Sequence, residues 1–205
     1  MEPKINREPV AEAARRLAAE NQRRARQVAE TLRIAERWEE AGAEVHPVGS
    51  LPMGLLVKHL DLDFHIYSDE VRPAVGMAVM AQLAEHPAVE RITYGNLRRT
   101  EEACIEYHVW YRGEEGALWQ IDMIHIVRGS RYDGVFERMA SRIAAALTDE
   151  TRDAILRLKY ETPEACPIAG VEYYRAVLEG GVRTFAELEA WRARHPLTGI
   201  TTWMP

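Results

Sequence analysis

Two aspartates, Asp61 and Asp63, lie inside an apolar run that reads LDLDFHI over residues 60–66. The alternation of residue types predicts a β-strand over residues 60–67. Side chains alternate between the two faces of a strand, so both carboxylates point to the same face. Two adjacent carboxylates repel each other unless a cation lies between them, and a hard divalent cation prefers oxygen ligands. The pattern therefore predicts a metal site on one face of a sheet.

A candidate phosphate site precedes this strand. Gly49 and Ser50 follow the apolar segment 45–48 and predict a tight turn into a short helix that ends near Lys58. Ser50 can cap that helix and offer its hydroxyl, and the free N–H groups of a first helical turn attract anions. A phosphate site close to a carboxylate pair indicates a nucleoside triphosphate held together with a metal ion.

A third carboxylate lies far along the chain. Asp122 occurs in the strand-like run WQIDMI, residues 119–124. A carboxylate with apolar neighbours on both sides is costly unless it is paired or binds a metal. Asp61 and Asp63 are therefore candidate ligands of Mg²⁺ or Mn²⁺, and Asp122 is a further carboxylate in the same kind of surroundings.

The combined pattern resembles the signature of the polymerase-β-like nucleotidyltransferase superfamily. That signature joins a Gly-Ser turn, an Asp-x-Asp strand and a later carboxylate on a separate strand, and the resemblance covers roughly residues 45–127. It implies that Asp122 is the third carboxylate and that Asp61, Asp63 and Asp122 are the catalytic and metal-binding residues, with Mg²⁺ or Mn²⁺ as the metal. It also implies transfer of a nucleoside monophosphate from a nucleoside triphosphate, with ATP expected, to a hydroxyl acceptor, with release of pyrophosphate. It also implies a basic phosphate contact from a helical lobe, for which Lys159 is the candidate, and Lys58 is a second cation near the turn.

The amino-acid composition limits the kinds of binding partner that we expect. The net charge of −6 argues against a long nucleic acid and favours a small-molecule or protein acceptor. There is no apolar run of the length that spans a membrane, and the first ten residues lack the apolar core of a secretory signal. Two cysteines do not form a disulfide framework, so we expect a cytoplasmic location.

The order of predicted elements gives the fold class, an α/β protein with a nucleotidyltransferase-like mixed sheet. A long helix over residues 9–41 precedes the sheet, and four helices follow it. We expect a catalytic domain over residues 1–130 and a helical substrate lobe over residues 131–205. The last two predicted strands form a hairpin, and a regular hairpin would place Tyr107 opposite Asp122.

Several side chains have less defined roles. His65 shares the face of the two aspartates, whereas His125 has the opposite parity to Asp122 and should point away. Glu101 and Glu106 are possible general bases for an acceptor hydroxyl, and the sequence favours neither.

A rival interpretation is a catalytically silent module of the same fold, for example a toxin–antitoxin partner. Leu60 favours this rival, because members of the superfamily often have a small polar residue before the first aspartate. Pyrophosphate transfer to a guanosine nucleotide would use similar acids, and nothing in the sequence is specific for it.

Overall fold

A computed structural model of the protein describes residues 9–205. The first ten residues, in which no secretory signal is predicted, lie mostly outside this range. Five strands form one sheet in the order β1-β2-β5-β4-β3. Only β2 and β5 are parallel neighbours, and the other pairs are antiparallel. The predicted mixed sheet is therefore confirmed. The strands are β1 Glu44–Val48, β2 Asp61–Ser68, β3 Val89–Asn96, β4 Cys104–Arg112 and β5 Leu118–Val127.

Helices precede, interrupt and follow the sheet. The last four, α5 to α8, form the predicted helical C-terminal region, and a capping box of Thr184 and Glu187 begins α8. The helices are α1 Val10–Thr31, α2 Ile34–Glu40, α3 Ser50–Met53, α4 Pro73–Ala84, α5 Val135–Ala146, α6 Asp149–Glu161, α7 Gly170–Leu178 and α8 Phe185–Arg194.

The predicted long N-terminal helix is confirmed, but it ends at Thr31, and a second helix occupies the rest of the predicted range of residues 9–41. Arg33 adopts a left-handed conformation with φ of 50°, which ends α1 and redirects α2. The bend buries Ile34 and Trp38 completely, and the Trp38 indole donates a hydrogen bond to the sulfur of Met123 behind the sheet. Burial of these two side chains offsets the cost of a left-handed arginine.

The predicted helix from Ser50 to Lys58 is wrong, because α3 has a single turn. Gly54 ends it in a left-handed conformation with φ of 72°. The following three residues belong to no helix or strand and are fully buried, and they alternate between two cores: Leu56 joins one, and Leu55 and Val57 join the other. This burial, rather than a longer helix, fixes the segment between the turn and β2.

Two hydrophobic clusters make up most of the interior. One lies behind the sheet under α2 and α4, and the other lies among α5 to α8. Helix α1 contributes to both, with Ala18 in the helical cluster and Ala25 in the sheet cluster. Among residues 9–205, no helix combines the length and the apolar character needed to cross a bilayer.

Candidate active site

The three predicted acids share one face of the sheet. In the parallel pairing of β2 with β5, Asp63 lies directly beside Asp122, and Asp61 lies beside Gln120. Because side chains alternate along both strands, Asp61, Asp63 and Asp122 point away from the core behind the sheet. The structure therefore brings together residues that are about sixty positions apart in the sequence.

The predicted partner of Asp122 across the hairpin is wrong by one residue. His108, not Tyr107, lies opposite Asp122, and its Nδ1–H donates a hydrogen bond to Asp122 Oδ1 at 2.6 Å. The side-chain amide of Gln120 also donates to Asp122, at 2.9 and 3.1 Å. Tyr107 is on the other face and packs against Trp38. A shift of one residue moves a strand's side chains to the opposite face, so His108 becomes part of the site.

The carboxylates of β2 are held in an unfavourable environment for negative charge. Burial and the neighbouring charges of Asp61 and Asp122 raise the pKa of Asp63 to about 8. Burial also raises the pKa of Asp61, against the opposing effect of Lys159. Among residues 9–205, no side chain donates a hydrogen bond to Asp63. A cation at this position would remove the repulsion that raises both pKa values.

The Gly-Ser turn lies against these acids. Gly49 has a positive φ of 67°, and a Cβ atom there would lie 2.1 Å from Oδ2 of Asp63. Only glycine therefore allows the backbone to pass so close to the second carboxylate. This geometry agrees with the tight turn predicted at Gly49.

Ser50 does not cap a helix, contrary to the prediction. Its hydroxyl instead accepts a hydrogen bond from Lys159 Nζ at 3.0 Å. Lys159 also donates to the carbonyl of Leu55 at 2.9 Å and to the hydroxyl of Tyr174 at 3.2 Å. The structure thus places Lys159 beside Ser50, and it adds Tyr174, which sequence reasoning missed because a helical tyrosine usually signals packing alone.

A large cavity of about 750 Å³ opens beside Asp61, between the sheet and the C-terminal helices. Ser50 and Lys159 line one part of it, and Lys58 lines the rim, where its ammonium group donates to the carbonyl of Thr162. Its far end carries an ion pair in which Arg192 Nε lies 2.7 Å from Glu172 Oε1. The cavity volume falls within the range of roughly 300–1,000 Å³ that is typical of ligand sites.

A second cavity, the apolar cavity, lies farther along the same face. It has a volume of about 360 Å³, and its lining includes Asp63, His65, Glu106 and Ile124. A connecting cavity of about 230 Å³ shares residues with both of the others. Asp61 and Asp63 therefore lie between two cavities of different chemistry, whereas Asp122 lines none of the three.

The remaining candidates are divided between this face and other surfaces. His65 is buried on the face of the acids, with its Nδ1 3.5 Å from a carboxylate oxygen of Glu137. His125 points to the opposite face, as predicted, and is hydrogen-bonded to Ser68 at 2.9 Å. Glu106 lines the apolar cavity, whereas Glu101 forms an exposed ion pair with Arg131.

The carboxylates are not arranged as a complete metal-binding site. Within the described part of the chain, no three His, Cys, Asp or Glu side chains are placed to hold a metal ion together. Asp122 is turned toward His108 and Gln120, which explains this result. Mg²⁺ commonly takes one or two carboxylates and completes its shell with water and substrate phosphates, so Asp61 and Asp63 suit a metal that arrives with a triphosphate.

Comparison with known proteins gives matches in structure only. No family model matches the chain, and no curated protein sequence matches it. A structure of Cid1 described by its RNA terminal uridylyl transferase activity matches with a TM-score of 0.55 and 17% identity, covering 78% of this chain and 47% of that chain. Cid1 poly(U) polymerase with bound MgGTP matches with a TM-score of 0.55 and 17% identity, covering 78% and 50%.

A poly(A) polymerase complex, GLD-2 with GLD-3, matches with a TM-score of 0.57 and 11% identity, covering 83% of this chain and 58% of that chain. The chain thus spans about half the length of these solved structures. The likeness is one of fold: the chain shares the fold of these solved transferase and polymerase structures, which agrees with the predicted nucleotidyltransferase-like fold class.

Proposed function

We propose that this protein is a metal-dependent nucleotidyltransferase that moves a nucleoside monophosphate from a nucleoside triphosphate to a hydroxyl acceptor. The observation that carries the proposal is the position of the acids. Asp61, Asp63 and Asp122 share one face of the sheet, and Asp61 lines the large cavity together with Ser50 and Lys159. Carboxylates for a metal and a cation for phosphate are the groups that this reaction requires.

Each residue has a defined role in this proposal. Asp61 and Asp63, with Asp122 beside Asp63 on β5, would hold Mg²⁺ or Mn²⁺, and the metal would supply the positive charge that neutralises the triphosphate and the leaving pyrophosphate. Lys159 and the Ser50 hydroxyl bind phosphate oxygens, and Lys58 adds a second positive charge at the rim. Because α3 has only one turn, its N-terminus contributes little to phosphate binding in this proposal, and Ser50, Lys58 and Lys159 contribute most of it.

The protein contributes mainly orientation and charge. Phosphoryl transfer needs little covalent chemistry from an enzyme, so a fixed cation and a fixed acceptor supply most of the acceleration. We propose ATP as the triphosphate and a small molecule or a protein as the acceptor, in a cytoplasmic setting that suits the free thiols of Cys104 and Cys166. We also propose the division into a catalytic domain, residues 1–130, and a helical substrate lobe, residues 131–205.

A second candidate is a catalytically silent module with the same fold. The observation that favours it is the engagement of Asp122 by His108 and Gln120, which leaves no three donors converging on one point among the residues described. Such a module would bind its partner equally well with or without a divalent cation.

The test is pyrophosphate release. Each of the four ribonucleoside triphosphates is incubated with Mg²⁺ or Mn²⁺ and a panel of hydroxyl compounds that includes an RNA oligonucleotide. We expect release that requires metal and falls by at least about 100-fold in the Asp61→Asn/Asp63→Asn variant. The matched control is Asp69→Asn, since Asp69 follows the same strand but is exposed and paired with Arg128.

A wild-type rate that persists in the double variant would contradict the assignment of the acids. Absence of pyrophosphate under all conditions, together with metal-independent partner binding, would favour the silent module.

A further inference from the structure

We propose that the apolar cavity binds the acceptor, and that the acceptor is a small apolar molecule carrying a hydroxyl and a positively charged amine. This inference rests on the proposed function, because it assigns the second substrate of the same reaction. It also departs from the RNA-directed activity named for the structural neighbour Cid1.

The positions of the cavities relative to the acids give the first argument for this assignment. Asp61 lines the large cavity and Asp63 lines the apolar cavity, and the connecting cavity is lined by both. An acceptor oxygen attacks phosphorus from the side opposite the leaving pyrophosphate. A triphosphate in the large cavity would therefore present its α-phosphorus to a hydroxyl that enters from the apolar cavity.

The two cavities differ in charge. Lys58, Lys159 and Arg192 line the large cavity, which suits a triphosphate. Among the described residues, no lysine or arginine lines the apolar cavity, whereas Glu102 and Glu106 both do. A nucleic-acid strand gains its affinity from cations along its phosphates, so this lining repels it and attracts an amine.

The walls define the rest of the acceptor. Aliphatic and aromatic side chains dominate the lining, and the volume of about 360 Å³ is near the lower limit of ligand sites. Tyr132 lines the cavity with its side chain 4% exposed, and its hydroxyl has no hydrogen-bond partner among residues 9–205. The acceptor that fits these walls is therefore small and largely apolar.

The chemical step balances without a further reactant. The acceptor oxygen forms a bond to the α-phosphorus, and the bond between this phosphorus and the bridging oxygen breaks. Pyrophosphate leaves with the electron pair of that bond, and the hydroxyl proton passes to the carboxylate of Glu106, which lines the apolar cavity. Glu102 is then free to bind the amine.

Two probes of matched size test the charge preference. Phenylalaninol has an aromatic ring, a hydroxyl and an amine, and phenyllactate has a ring, a hydroxyl and a carboxylate. Binding of each to the full chain is measured by chemical-shift titration without nucleotide. Transfer of label from [α-³²P]ATP to each probe and to a single-stranded RNA is measured separately. We expect phenylalaninol to bind roughly tenfold or more tightly than phenyllactate, and to be labelled in preference to RNA.

Variants test which residues of the apolar cavity determine the preference for phenylalaninol. Glu102→Gln should reduce the preference for phenylalaninol severalfold, whereas Glu101→Gln should leave it unchanged, because Glu101 is exposed and does not line the cavity. Ile124→Phe should fill the cavity and abolish binding of phenylalaninol. A retained thermal shift with ATP and Mg²⁺ would show that this variant is folded and keeps its nucleotide site.

The two proposals fail in different ways. Metal-dependent triphosphate binding together with equal binding of both probes, or with preferred labelling of RNA, would overturn the acceptor assignment and leave the nucleotidyltransferase proposal in place. Binding of phenylalaninol without any triphosphate binding would overturn the proposed function and, with it, the acceptor role of the cavity.

Discussion

Asp63 is the residue whose ionisation depends most strongly on its surroundings. Burial and the charges of Asp61 and Asp122 raise its pKa to about 8, whereas an unfolded chain gives an aspartate a pKa near 4. Between these two values the folded protein keeps a proton that the unfolded chain has released. The free energy of unfolding of the metal-free protein should therefore fall as the pH rises through this range.

The Asp63→Asn variant tests this ionisation. It lacks the buried charge, so in EDTA it should be more stable than the wild type by at least about 1 kcal/mol at pH 8.5, and the difference should shrink toward pH 4. Urea denaturation across the pH series measures both chains. A variant that is less stable than the wild type at every pH would show that Asp63 has a structural role instead.

Lys159 is the cation at the candidate phosphate site, with hydrogen bonds to Ser50, Leu55 and Tyr174. Lys159→Met should weaken triphosphate binding on the order of 10–100-fold, because hydrogen bonds to charged groups contribute about 1.5–3 kcal/mol. Isothermal titration calorimetry with Mg²⁺ and a non-hydrolysable ATP analogue measures the change. The comparison variant is Lys58→Met, which should lose less affinity for the triphosphate, because Lys58 lies at the rim. An equal or larger loss of affinity in this variant would reverse the roles of the two lysines.

Single residues were the hardest features to predict from sequence. Asp61, Asp63 and Asp122 were found because a carboxylate in an apolar strand is costly and therefore stands out. His108 and Tyr174 gave no such signal, since a histidine in a strand and a tyrosine in a helix are common packing residues. Their contacts with Asp122 and Lys159 depend on strand register and on the approach of distant helices.

The turn between β1 and α3 is the element that brings the backbone against the acids. Gly49→Ala should disrupt it, because the new Cβ would lie 2.1 Å from Oδ2 of Asp63 in a backbone conformation that already disfavours alanine. Gly42→Ala is the matched control, with a φ of 81° but no atom within 4 Å of the added Cβ.

Both substitutions place an alanine at a positive φ, and Gly49, with a ψ of −146°, also lies in a region that is almost exclusive to glycine. Gly49→Ala should lose a further amount of at least about 1 kcal/mol in unfolding experiments and should also lose metal-dependent triphosphate binding. Equal effects of the two substitutions on stability, with binding retained, would show that the close approach to Asp63 has no importance.

Elements were predicted well where local signals mark them. The strands alternate, and the ends of α8 carry a capping box and a following break. No feature of the sequence marks the division between α1 and α2. The helical spacing of apolar residues continues on both sides of Arg33, and arginine is not expected in a left-handed conformation. The hairpin register was missed by one residue, since the turn contains a short 3-10 segment in which Glu115 also has a positive φ of 57°.

At the scale of the whole molecule, the candidate site lies between the sheet and the C-terminal helices. The sheet supplies Asp61, and the C-terminal helices supply Lys159 and the ion pair of Glu172 with Arg192. Helix α1 packs in both clusters, and Arg15 bonds Asp153 of α6 at 2.5 Å. A triphosphate in the large cavity would contact both parts of the chain, so its binding free energy should appear as stability of the entire fold.

The most direct test of the central claim is a thermal-shift titration of the wild type and the Asp61→Asn/Asp63→Asn variant with each ribonucleoside triphosphate, with and without Mg²⁺. A ligand at 100 times its dissociation constant adds about 2.7 kcal/mol to the free energy of unfolding. We predict a shift in the wild type that requires both triphosphate and metal and is absent in the variant. No shift with any triphosphate, or an equal shift in the variant without metal, would contradict the account.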